Sequence, residues 1–146
     1  MNTLHSVLLV DDDKTTNYLH ELLLRRLEVT MRVVAVTNGV QALDYLACLA
    51  EEADNLYPSL ILLDLRMPVL DGWGFLAAYR QLPLPQRLSP VIVLTVTPLR
   101  VAELDALQQL SVAGLIYKPL TAEQVEQIIP RDILNVKQKQ APTAFA

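Results

Sequence analysis

Cysteine occurs once in the chain, at Cys48, and no apolar run approaches the roughly 20 residues that a membrane-spanning helix needs. Basic residues are scarce too, with 12 Lys plus Arg against 16 Asp plus Glu and a formal charge of −4. Each shortage excludes something. A lone cysteine rules out an internal disulfide and fits a reducing compartment, so the cytosol is the expected setting. Nucleic-acid binding needs a clustered basic face. Here Arg25–Arg26, and Lys137 with Lys139, read as solvated surface. The N-terminus "MNTLHSVLLVDDD" has no basic region, and its apolar run is short and followed by acids, so no signal peptide is expected. No internal repeat is visible.

What is present is a core. The 146 residues are 52% hydrophobic, which suits one folded domain rather than a disordered chain. Continuous apolar runs at 7–10 ("VLLV"), 33–36 ("VVAV"), 60–63 ("LILL"), 91–94 ("VIVL") and 114–117 ("GLIY") read as strands covered on both faces. Between them the period becomes helical. Leu19, Leu22, Leu23 and Leu27 mark a first helix, and Leu43, Leu46, Ala47 and Ala50 a second with Asn38 as its N-cap. "GWGFLAAYRQL" forms a third, ended by Pro83 and Pro85. Val101, Leu104, Leu107 and Leu110 mark a fourth, and "TAEQ" at 121–124 is a capping box that opens a fifth. Five βα units in succession imply a parallel sheet with helices on both faces. "QLPLPQRLSP" is a connection within the domain, not a linker between two.

In such a sheet, ligands bind beyond the C-terminal ends of the strands. The first strand ends in Asp11, Asp12 and Asp13, the third in Asp64, the fourth in Thr95, and the fifth runs into Lys118. Carboxylates at adjacent strand ends repel, and a hard cation such as Mg²⁺, which takes oxygen ligands, relieves that repulsion. An ionised carboxylate is also a nucleophile toward phosphorus. A cation on one side and a lysine on the other would neutralise phosphoryl oxygens.

"LLVDDD" at 8–13, "LILLDLRMPVLDG" at 60–72, "VIVLT" at 91–95 and "YKPL" at 117–120 together resemble the receiver domain of two-component response regulators, over about residues 6–129. The resemblance implies an α/β fold, a doubly wound five-stranded parallel sheet of flavodoxin-like strand order 2-1-3-4-5. It implies a receiver domain over 1–130 and a polar tail over 131–146, partly helical or mobile. By it, Asp64 is the phosphoacceptor and Asp11 and Asp12 hold Mg²⁺ together with Asp64 and the backbone carbonyl of Arg66. Thr95 turns toward the phosphoryl group, Lys118 pairs with it, and the Lys118–Pro119 bond is cis. The implied partners are a histidine kinase or phosphotransfer protein and a downstream protein target reached through about 99–129, with Leu99, Leu115 and Tyr117 as contacts. No nucleic acid or membrane partner is implied, and the chain is expected to be a monomer or weak homodimer of stand-alone type. "TTNYL" at 15–19 also resembles a subgroup of stand-alone receivers.

The chain departs from the family pattern at three places. Val96 stands where a small residue is usual, and Leu115 where an aromatic is usual, with Tyr117 displaced to the position before the lysine. Arg66 places a bulky cation two residues after Asp64. Other residues read plainly: Asp13 and Asp71 as helix caps, Thr97 as a turn residue, and His5 and His20 as structural or surface groups. Cys48 is expected to be buried, and Trp73 to pack at the start of the third helix. Two rival functions remain open. One is a pseudo-receiver that binds protein without phosphorylation. The other is a haloacid-dehalogenase-like phosphatase, since "DDDKT" at 11–15 fits D-x-D-x-T with Asp11 as nucleophile. That fold needs acidic metal ligands on a strand after the lysine, and Glu123, Glu126 and Asp132 fall on helical or tail sequence.

Overall fold

The computed structural model describes residues 3–54 and 56–128. The expected tail over 131–146 lies outside them. The elements run β1 (Val7–Val10), α1 (Lys14–Arg26), β2 (Val33–Val36), α2 (Gly39–Ala50), β3 (Leu60–Asp64) and α3 (Gly72–Tyr79). A 3-10 turn (Leu84–Arg87) then leads to β4 (Val91–Thr95), α4 (Val101–Gln109), β5 (Gly114–Tyr117) and α5 (Ala122–Gln127). The sheet order is β2-β1-β3-β4-β5, and every neighbouring pair is parallel. No described helix is long and apolar enough to cross a membrane.

Because successive strand side chains point to opposite faces, each apolar run feeds two cores. Leu8, Val10, Ile61, Leu63, Val91, Val93 and Leu115 pack against Ala42 and Leu46 of α2, Phe75, Leu76 and Tyr79 of α3, and Leu107 of α4. Val7, Leu9, Leu60, Leu62, Ile92, Leu94 and Ile116 pack on the other side, against Leu24 of α1 and Val125 of α5. Each such side chain contributes about 1.5–3 kcal/mol on burial. The edge strand β2 is the exception to two-sided coverage, with Ala35 exposed.

The helix starts are written in short polar residues. Asp13 accepts from the Thr15 amide at 2.9 Å, Asn38 from Gln41 at 2.9 Å and Asp71 from Gly74 at 2.8 Å. Thr121 and Gln124 form the reciprocal box at α5. The helix faces depart from expectation at several positions. Leu19 and Leu22 are exposed, and α1 turns Asn17, His20 and Leu24 inward instead. On α2 the buried set is Ala42, Leu46 and Leu49, which leaves Ala47 outside and Cys48 exposed rather than buried. Val101 is 74% exposed, so α4 packs through Leu104, Leu107 and Leu110 only.

One glycine governs how closely α3 approaches the end of β3. A β-carbon on Gly72 would stand 2.6 Å from the Asp64 carbonyl oxygen and 2.7 Å from the Leu65 α-carbon, both backbone atoms with little room to yield. The Gly72→Ala variant is therefore expected to lose about 1–3 kcal/mol of stability, measured by urea denaturation. An unchanged midpoint would show that this contact is not tight.

Candidate functional site

All five strands run in the same direction, so their C-terminal ends line one crevice. Asp11 follows β1 and is 4% exposed, Asp64 closes β3, Thr95 closes β4, and Lys118 follows β5. The Lys118 Nζ donates to Asp11 Oδ2 at 2.6 Å and to Asp64 Oδ1 at 3.4 Å. The other oxygen of Asp11, Oδ1, accepts from the Asp13 amide at 2.9 Å. Asp12 sits at the bend after Asp11 and is exposed. Carboxylate oxygens of Asp11, Asp12 and Asp64 all lie within 4.8 Å of one another. Among the described residues, these are the acids that the fold gathers.

The charges do not balance. Three carboxylates against one ammonium leave two negative charges in a half-buried crevice. Burial raises the Asp64 carboxyl above its usual range, and the charges of Asp11 and Asp12 raise it further, while Lys118 opposes both. Burial pulls the Lys118 ammonium down, but its hydrogen bond to Asp11 and the charges of Asp11 and Asp64 outweigh that, and it ends above its usual value. The donor set suits one hard divalent cation: oxygen ligands, two surplus charges, and an exposed acid at the mouth where waters can remain. Arg66 follows Asp64 by two residues and is exposed, its charge felt by Glu103 in the first turn of α4.

Two loops hold the crevice in shape. After β3, the Leu70 amide donates to the Pro68 carbonyl at 2.8 Å, a three-residue turn that puts Val69 at φ 70°. That conformation is strained for a β-branched residue. The Leu70 carbonyl then accepts from the Gly39 amide at 2.9 Å, tying the loop to the start of α2. After β4, Thr95 Oγ1 accepts from the Thr97 amide at 3.3 Å and lies 3.4 Å from the Thr97 carbonyl, while the Thr95 carbonyl accepts from the Lys118 amide at 2.8 Å. The Lys118–Pro119 bond is cis, as expected.

Of the expected site residues, Asp11, Asp12, Asp64 and Lys118 come together, and Thr95 is joined to Lys118 through the backbone. Two buried polar groups on α1, Asn17 and His20, were not among them. Their signal was available in the spacing: positions 17, 20 and 24 share one helical face, but two of the three are polar and a hydrophobic period passes over them. Burial lowers the His20 imidazole below its usual range, Lys118 adds to this, and Asp11 opposes it.

The raised Asp64 carboxyl has a consequence for stability in the absence of a divalent cation. Folding costs most where Asp64 is ionised. The penalty is absent below its ordinary value of 3.8 and complete above its raised folded value. Asp64→Asn is expected to raise the melting temperature by a few degrees at pH 7 in chelator. The gain should shrink to nothing as the pH falls toward 3.8. A variant melting below the wild type at pH 7 would contradict this account of the crevice.

Comparison with known proteins points one way. The family model for the response regulator receiver domain matches residues 7–130. Response regulator Rcp1 of Synechocystis sp. is 35% identical over 89 residues, which cover 61% of this chain and 60% of that protein. A two-component response regulator from Cytophaga hutchinsonii superposes with a TM-score of 0.81 at 28% identity, covering 92% of this chain and 99% of that one. The receiver domain of a sensor histidine kinase from Pseudomonas aeruginosa, solved with a magnesium ion in its active-site cleft, superposes with a TM-score of 0.70 at 29% identity, covering 88% and 97%.

Proposed function

The chain belongs to the response regulator receiver domain family, and from that premise we propose that it is a phosphorylation switch in which Asp64 is the phosphoacceptor. A histidine kinase or phosphotransfer protein presents a phosphoryl group on an imidazole. An Asp64 carboxylate oxygen attacks the phosphorus, the bond from phosphorus to the donor nitrogen breaks, and the electron pair returns to the imidazole. The observation that carries this reading is Lys118 held between Asp11 and Asp64 at the C-terminal edge of the sheet, with the Asp12 carboxylate close by, which supports a carboxylate nucleophile beside a cation and an ammonium.

Asp11, Asp12, Asp64 and the Arg66 carbonyl would hold Mg²⁺, which supplies neutralisation of the carboxylates and of the transferred phosphoryl oxygens. Lys118 pairs with the new phosphoryl group in place of the Asp64 carboxylate. Thr95, whose hydroxyl has only long contacts at 3.3 and 3.4 Å, is free to turn and donate to it. The rival nucleophile is poorly supported. Asp11 is buried with both oxygens engaged, whereas Asp64 has one long contact. Glu123 and Glu126 are exposed on α5, away from any strand end, and Asp132 lies outside the described residues.

Two surfaces suit the two partners. Tyr18, Leu19 and Leu22 make an exposed apolar stripe on α1, opposite its buried face and starting about two turns after Asp11, which suits a donor that must deliver its phosphoryl group to Asp64. The downstream target is assigned to the α4–β5–α5 face, as the resemblance implies, with one correction. Leu115 is 9% exposed and belongs to the core, so it is no contact, and Leu99 is only partly exposed. Val96 at 70%, Val101 and Tyr117 are the apolar groups open on that face, next to the loop that Thr95 begins. A single cysteine and this partner class fit a cytoplasmic setting.

Incubation with Mg²⁺ and acetyl phosphate should give an acid-stable, base-labile adduct that Asp64→Ala loses and Asp11→Ala keeps in reduced amount. Labelling at Asp11 would favour the phosphatase, and absence of labelling the pseudo-receiver. The α1 stripe has its own test. Leu19→Glu with Leu22→Glu should slow transfer from a protein donor at least tenfold and leave acetyl phosphate labelling unchanged, and equal slowing of both would remove the stripe from the donor interface.

A further inference from the structure

One buried polar side chain beside the crevice has no role in the reading above. Asn17, at the end of the first turn of α1, is 5% exposed. Its Nδ2 donates to the Asp11 carbonyl at 2.9 Å and to the Val36 carbonyl at 3.2 Å. Val36 also accepts from the Asp11 amide at 3.1 Å. The β1 ladder has stopped by this point, since its last paired residue is Val10. The Asp11 carbonyl thus lies one residue past the strand, where a buried acceptor would otherwise have no strand donor. The Asn17 amide takes that place.

The location of this hydrogen bond matters more than its existence. The Asp11 carbonyl belongs to the peptide that joins Asp11 to Asp12. In a continuing strand the two side chains would point to opposite faces. Here the backbone bends at Asp12, and both carboxylates come within reach of Asp64. The orientation of that one peptide therefore sets where the Asp12 carboxylate points, and the Asn17 amide holds its oxygen. Asn17 Oδ1, meanwhile, is buried with no partner among the described residues.

On the reading of Asp11 and Asp12 as cation ligands, we infer that Asn17 is a positioning residue for the cation site. It fixes the Asp11–Asp12 peptide, and through it the placement of the exposed acid, without touching the cation or the phosphoryl group. It also joins that peptide to the end of β2 at Val36. From there the chain reaches Gly39, which is bonded to Leu70 of the loop after Asp64. The acid loop and the Asp64 loop are thereby braced against the same segment, residues 36–39.

The test is Mg²⁺ titration by calorimetry on the full chain, with no phosphodonor present. Asn17→Ala, in which water can reach the freed carbonyls, is expected to bind Mg²⁺ about tenfold more weakly than the wild type. Leu24→Ala, one helical repeat further along the same buried face, is the control for lost packing. It should be destabilised and bind Mg²⁺ as the wild type does. Equal affinity in Asn17→Ala and wild type, or equal weakening in both variants, would overturn the inference. Failure of the wild type to bind Mg²⁺ would instead overturn the cation reading of the acids. Should Asn17→Ala not fold, the side-chain amide of Asn17 in the wild type decides. Its ¹⁵N–H₂ resonances should shift and exchange more slowly on Mg²⁺ addition, and no response would overturn the inference.

Discussion

An ammonium held between two carboxylates closes this molecule. Lys118 reaches Asp11 across 107 residues of sequence and Asp64 across 54, joining the end of β5 to the ends of β1 and β3. The three side chains are largely out of water, with 14%, 6% and 12% of their surfaces exposed. Losing the closer partner, Asp11, from such a group typically costs about 3–5 kcal/mol, whereas Asp64, its carboxyl raised by burial and by its acidic neighbours, is a net cost when ionised. Yet the grouping is not relaxed. One ammonium bonds to two acids, a third, Asp12, stands close to both of them, and Asp64 has the longer and weaker contact. The same imbalance that costs stability leaves Asp64 less tightly held than Asp11 and leaves the cluster with surplus negative charge.

The loops around this centre are arranged so that it does not collapse. Without constraint, mutually repelling acids would splay apart, and a lysine that satisfied both would pull them together. Asn17 holds the acid loop from below, and the turn at Pro68–Leu70 holds the other loop from the side. Val69 at φ 70° is part of that arrangement, a strained residue kept in place by bonds on either side of it. Both brace the loops that carry the acids.

Much of this was legible in the sequence, because burial on both faces leaves continuous apolar runs that a single polar residue can end. Asp64, Thr95 and Lys118 stood out because a β-run has a definite last residue. The helix faces were harder to read. On α1 the leucines offer two faces. The one that looks amphipathic, through Leu19 and Leu22, points outward, because the sheet-facing side spends two positions on Asn17 and His20. Hydrophobic periodicity cannot see a polar residue that belongs inside. Cys48 was misplaced for a related reason: α2 is apolar nearly all round, so its composition does not say which third is covered. Leu115 was given to a partner by analogy with an aromatic position, but its parity with Val91 and Val93 on the same sheet face makes it core.

The parallel register has a consequence for how such a chain can change over generations. Four of the strands, β1, β3, β4 and β5, each carry one of the proposed site residues as the last residue or the one just after it. Adding or removing one residue within any of those strands would slide that group by about 3.3 Å and turn it to the other face. At the opposite edge of the sheet the connections carry no such duty, and the Pro-rich stretch before β4 can lengthen or shorten without moving an acid. The crevice therefore acts as a proofreading mark on the reading frame of the fold.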